Sequence, residues 1–140
     1  MKILTVSRLQ KRKNHTAVLH ACSILKSRGV EFVYDIVGDG QQREILEDLV
    51  FAKNLSENVH FHGIVKDKQL DDFYSGADVF VLPSLTLDDD VEGFGIVFLE
   101  AGKHGVPVIG PNKGGAADAI TKDSGIKIDP TNPDKIADAI

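Results

Sequence analysis

Short apolar runs rich in branched side chains alternate with segments of helical period along the whole chain, and this alternation restricts the fold more than any other feature. Residues 3–6 read as a buried strand. A helix follows, with Asn14 as its cap, Val18, Leu19, Cys22 and Leu25 recurring at three and four, and Gly29 at the left-handed stop position. Residues 32–37 form a second strand that ends in Gly38-Asp39-Gly40. Ile45, Leu46 and Leu49 give the next helix its apolar stripe, up to about residue 53. Val59, Phe61 and Gly63, with His60 and His62 between them, predict a third strand, and Asp67 caps a short helix carrying Leu70, Phe73 and Tyr74. The second half repeats the pattern. A strand at 79–82 leads through a loop at 83–92 to a helix at 94–104 that Gly105 ends. Then come a strand at 106–109, weakened at its first residues by Pro107, and a short helix from Gly114-Gly115 to residue 120. A strand at 125–128 and a helix at 134–140, with Pro133 at its front, complete the chain.

Strands separated by helices of this length pair in parallel through right-handed crossovers, which predicts an α/β fold: a three-layer, doubly wound, Rossmann-like parallel sheet. Such sheets bind ligands beyond the carboxyl ends of the strands where strand order reverses, commonly between the first and fourth strands. The loops after Val6 and Leu82 are therefore the places for chemistry. With 140 residues there is room for one domain with a core, and a content of 42% apolar and 26% charged residues suits a globular chain. The net charge of −5 disfavours nucleic acid or an anionic membrane as a general partner. The single cysteine, Cys22, lies on an apolar helix stripe, and neither an export signal nor a run of about 18 apolar residues is present, so the expected compartment is the cytoplasm.

The loop after the first strand places Arg8, Lys11, Arg12 and Lys13, four of the 16 basic residues, within six positions. One reading is an anion site, in which Arg8 presents a planar fork to phosphate oxygens and Lys13 adds a charge near a helix N-terminus. The other is a solvated basic turn, and this segment alone leaves both open; Lys11 and Arg12 are expected to be solvated. The loop after the fourth strand carries Glu92-Gly93-Phe94-Gly95-Ile96-Val97-Phe98-Leu99-Glu100. Glycines around one aromatic at a helix mouth let a ligand approach the backbone and the free N–H groups of the first turn. The same turn could be a plain helix entry with Phe94 in the core. Glu100 argues against a purely structural role, because an unpaired carboxylate among Ile96, Val97, Phe98, Leu99 and Ala101 would be costly.

Ser7-Arg8-Leu9 followed by Lys13, the Gly38-Asp39-Gly40 turn, Phe61-His62-Gly63-Ile64-Val65, Ala77-Asp78-Val79-Phe80-Val81-Leu82-Pro83-Ser84, Glu92-Gly93-Phe94-Gly95 with Glu100, Gly105-Val106-Pro107-Val108-Ile109 and Gly114-Gly115 occur in the order seen in group 1 glycosyltransferases. Over nearly its whole length the chain resembles the C-terminal, nucleotide-sugar-binding domain of the family 4 retaining enzymes, half of a GT-B architecture. The resemblance implies that Arg8 and Lys13 bind the donor diphosphate and neutralise charge growing on it, with no metal or other cofactor required. It implies that Glu92 and the backbone of Gly93, Phe94 and Gly95 hold the donor sugar, that the N–H groups of Ile96 and Val97 meet the phosphates, that Glu100 accepts from the ribose hydroxyls, and that the backbone at Val65 faces the base. The implied partners are a nucleoside diphosphate sugar and an N-terminal acceptor domain outside these 140 residues, through which peripheral membrane association remains open. The isolated chain is expected to bind a nucleoside diphosphate and to turn over poorly.

Ser7 and Asn14 stand where the family often has glycine, Asp118 where glutamate is common, and Gly102-Lys103-His104 replaces small apolar residues. The acidic run Asp88-Asp89-Asp90 reads as a solvated loop, with a shape sensor for the donor or an interdomain contact as the alternatives. A hydrolase elbow and a Walker loop are absent, and Gly38-Asp39-Gly40 lacks the third glycine of a dinucleotide fingerprint. His60 and His62 share a strand face but have no third metal ligand in view. The competing class is a non-catalytic nucleotide or nucleotide-sugar module. A phosphoacceptor signalling domain would need acids after the first strand, where this chain has Arg8 and Lys13.

Overall fold

The computed structural model describes residues 1–86 and 95–140. The described strands β1 (Lys2–Val6), β2 (Val33–Val37), β3 (Val59–Gly63), β4 (Val79–Val81), β5 (Val108–Pro111) and β6 (Gly125–Ile128) form one sheet in the order β3-β2-β1-β4-β5-β6. Every neighbouring pair is parallel. Between and after the strands lie α1 (His15–Ser27), α2 (Arg43–Ala52), α3 (Asp67–Gly76), α4 (Ile96–Lys103), α5 (Gly115–Asp118) and α6 (Pro133–Ala139), with a 3-10 turn at Lys11–Lys13. The doubly wound reading is borne out, and strand order reverses between β1 and β4.

Alternation along the strands divides the core into two layers. Ile3, Val79, Val81 and Ile109 pack with Val18, Leu19, Cys22, Leu46 and Ile136 on the side of α1, α2 and α6. Leu4, Phe80, Leu82 and Val108 point the other way, toward Tyr74, Phe98, Ala101 and Ile120. Cys22 is buried as expected, and burial pushes its thiol up to about 12.

Several element ends differ from the sequence reading. The strand expected at 106–109 begins two residues later, because Val106 N–H is taken by the Ala101 carbonyl at the end of α4 and Pro107 has no N–H to give. The helix expected from residue 94 is described from Ile96, with Gly95 as its cap; Phe94 lies outside the described residues. Asn132, unrecognised in the sequence, caps α6 by accepting from the N–H groups of Asp134 and Lys135. Asp67 occupies the first position of α3 instead of its cap, and the Gln69 side chain accepts from Lys66 N–H there.

Candidate functional site

The carboxyl ends of β1 and β4 lie side by side, so the loop that leaves β1 and the loop that leads to α4 share one edge of the sheet. The first of these is tightly built. Ser7 N–H donates to the Val37 carbonyl, Leu9 N–H to the Asp39 carbonyl, and Gln42 N–H to the Leu9 carbonyl. This contact explains the Gly38-Asp39-Gly40 turn: a Cβ at Gly38 would collide with the Ser7 carbonyl oxygen, and one at Gly40 would lie 2.5 Å from that of Leu9. The two glycines admit the neighbouring backbone.

Asn14 stands at the N-cap position of α1, but its side chain makes no capping hydrogen bond. Its backbone is left-handed, with φ 61°, and its side-chain amide donates instead to the carbonyls of Pro83 (3.1 Å) and Pro130 (2.7 Å). Asparagine tolerates that conformation better than most side chains, which accounts for its standing where the family often has glycine. The amide ties the β1 loop to the segments that follow β4 and β6, and Leu85 N–H adds a 2.7 Å bond to the Arg12 carbonyl.

The four basic residues separate. Arg8 and Lys11 are exposed, whereas Arg12 and Lys13 are buried, at 8% and 9% exposure. The expectation of a solvated Arg12 is thereby corrected: it is buried in the 3-10 turn, and its carbonyl accepts from Leu85 N–H. Beside them lies His15, which the sequence reading passed over although it falls on the helical stripe three residues before Val18. It is buried, and its Nε2 lies 3.1 Å from Ser7 Oγ. Burial, reinforced by the Lys13 charge, lowers its pKa to about 4, so the ring is neutral at physiological pH.

Across the switch point, Gly95 is left-handed at φ 66°, and a Cβ there would meet Phe98 Cδ2 at 2.9 Å and Ala116 Cα at 3.2 Å. Close packing of α4 against α5 therefore requires glycine. Ile96, at 64% exposure, and half-buried Val97 are the first residues of α4. Glu92, Gly93 and Phe94, together with Asp88, Asp89 and Asp90, lie outside the described residues.

Glu100 is half-buried on α4, and it has a partner within the protein: Tyr74 on α3 donates its phenol to Glu100 Oε2 at 2.9 Å. The cost of an unpaired carboxylate, which suggested a ligand, is therefore already offset in the fold. Beside this bond a cavity of about 180 Å³ opens between Asp67, Leu70 and Asp71 of α3 and Glu100 and Lys103 of α4. Val65 stands two residues before Asp67, which lines the same cavity as Glu100. His62 pairs with Asp35 at 2.6 Å, and no cluster of three metal-ligating side chains occurs among the described residues.

The profile of the family described as "Glycosyl transferases group 1" matches residues 1–140. The chain belongs to this family. A GDP-mannose-dependent α-(1-6)-phosphatidylinositol monomannoside mannosyltransferase from Mycobacterium tuberculosis is 36% identical over 99% of this chain, which covers 37% of that relative. Among solved structures, the C-terminal domain of the group 1 protein LpcC from Francisella tularensis superimposes with a TM-score of 0.79 at 22% identity, over 98% of this chain and 72% of that one. HepE from Anabaena in complex with UDP gives a TM-score of 0.82 at 22% identity, over 98% of this chain and 37% of that one. Both folds match the sheet described above, and the chain corresponds to the C-terminal, donor-binding half of the GT-B architecture. It spans little more than a third of the mycobacterial relative. Among the described residues no helix is long and apolar enough to cross a membrane.

Proposed function

We propose that this chain is the donor half of a metal-independent retaining glycosyltransferase, which transfers a sugar from a nucleoside diphosphate sugar to an acceptor hydroxyl. The observation that carries the reading is the switch point itself: the cationic turn at Arg8–Lys13 and the N-terminus of α4 stand on the same edge of a parallel sheet. Arg8 and Lys13 bind the donor diphosphate. As the glycosidic bond breaks and negative charge grows on the leaving group, fixed cations stabilise it without reorganising. The Ile96 and Val97 N–H groups take phosphate oxygens at the positive end of α4. Glu100 accepts from the ribose hydroxyls, the Val65 backbone faces the base, and Glu92 with the backbone of Gly93, Phe94 and Gly95 holds the sugar.

The acceptor site and any membrane contact belong to an N-terminal domain outside the 140 residues, as the relatives' greater length supports. That division assigns donor binding, and not turnover, to the isolated chain. The relative's name cites GDP-mannose and the solved neighbour holds UDP, so the base is the open variable. Calorimetric titration of the chain with UDP-, GDP- and ADP-sugars, with and without a chelator, tests the reading. One base is expected to bind best, and equally well in chelator. Binding of none, or efficient transfer by the chain alone, would overturn it.

A further inference from the structure

The Tyr74 phenol is the partner of an acid that the proposed function places on the ribose, and its setting is rigid. Tyr74 is 1% exposed, its ring lying 5.9 Å from Phe80 on one side and stacked on His104 at 5.6 Å and 11° on the other. His104 is itself fixed: Ser75 Oγ lies 3.1 Å from its Nδ1, and Asp71 Oδ1 lies 3.3 Å from its Nε2. This accounts for a histidine where the family has small apolar residues. Burial and the neighbouring Glu100 carboxylate hold the phenol pKa far above its ordinary value, so Tyr74 remains a donor.

We infer that Tyr74 is a positioning residue for Glu100: its hydroxyl holds Oε2 and leaves Oε1, with the remaining lone pair of Oε2, for the two ribose hydroxyls of the nucleotide. A carboxylate has about four acceptor directions, and one phenol uses one of them. A glutamate near solvent otherwise samples many rotamers, and it would lose that freedom each time a ligand bound. A side chain already fixed at one oxygen by a core residue loses less. The cavity beside the bond leaves space next to the carboxylate instead of closing over it.

The inference rests on the ribose role of Glu100, so both residues are tested together on the full 140-residue chain. GDP and UDP are titrated first, and the tighter binder is compared with its 2′,3′-dideoxy form. Tyr74→Phe is expected to weaken binding of the ribonucleotide about three- to tenfold and binding of the dideoxy form less than twofold. Glu100→Gln is expected to show a larger loss with the same dependence on the hydroxyls. If Glu100→Gln binds the ribonucleotide like the parent, the ribose role itself fails. If Glu100→Gln behaves as expected while Tyr74→Phe matches the parent, Tyr74 is a core residue only. Should Tyr74→Phe not fold, ζ-carbon labelling of the unaltered chain reports the same contact. The chain has only two tyrosines, and buried Tyr34, bonded to Thr5, is the reference. The Tyr74 signal is expected to shift with the ribonucleotide and not with the dideoxy form; equal responses to both overturn the inference.

Discussion

The turn after β1 and the first turn of α4 differ in how far their side chains are buried. The turn after β1 is packed: backbone bonds hold it to the Gly38-Asp39-Gly40 turn, Asn14 bridges two further segments, and Arg12, Lys13 and His15 are buried within it. At the start of α4, by contrast, the first side chains are open, Ile96 being exposed and Val97 half-buried. The difference teaches where specificity for an anion can reside. Under the proposed donor role, the packed turn would meet an anion with side chains that the fold has already desolvated, and the open turn with its backbone N–H groups.

The most damaging change should fall on the packed turn's foundation. Gly38→Ala sets a Cβ against the Ser7 carbonyl at a φ of 128°, and denaturant melts should show a loss of about 3 kcal/mol or more. A loss below about 1 kcal/mol would mean the two turns are not rigidly joined. His15 provides a pH test of nearly the same size. The unfolded chain takes up a proton near 6.5 and the folded chain only near 4, so between these values the unfolded state binds more protons. Stability is therefore complete above about pH 6.5 and falls as the pH drops toward 4, by an amount on the order of 3 kcal/mol. His15→Gln should flatten the slope in that window, and an unchanged slope would place the buried charge cost elsewhere.

Smaller effects separate the turns in binding. Lys13→Ala removes a charge-assisted contact of about 1.5–3 kcal/mol, so diphosphate affinity should drop roughly ten- to a hundredfold while nucleoside affinity changes little. Equal losses for both ligands would contradict a phosphate role. Ile96→Ala, in contrast, removes an exposed side chain and keeps the N–H, and titration should give a diphosphate affinity within about twofold of the parent. A tenfold loss would show that the open turn also binds through its side chains.

Much of this was readable from spacing. Strand parity at Ile3 and Leu4, and again at Val79, Phe80 and Val81, assigns these residues to opposite faces, which is where they pack. The glycine of the α4 cap and the cluster Arg8 to Lys13 were visible as well, since both are local patterns. The partners were not. Nothing near Glu100 in the chain announces Tyr74, which stands 26 residues away, and nothing near Asn14 announces Pro130, 116 residues away.

The sequence by itself determined the alternation, hence the parallel sheet and the edge at which a ligand is expected, because periodicity and turn chemistry act over a few residues. Only the tertiary structure decided which of four clustered cations are buried, that the Asn14 side chain bridges distant segments instead of capping its own helix, and that Glu100 already has a phenol on one oxygen. Those outcomes depend on desolvation and on hydrogen bonds between elements distant in the chain, and both come into being only when the sheet brings its loops together.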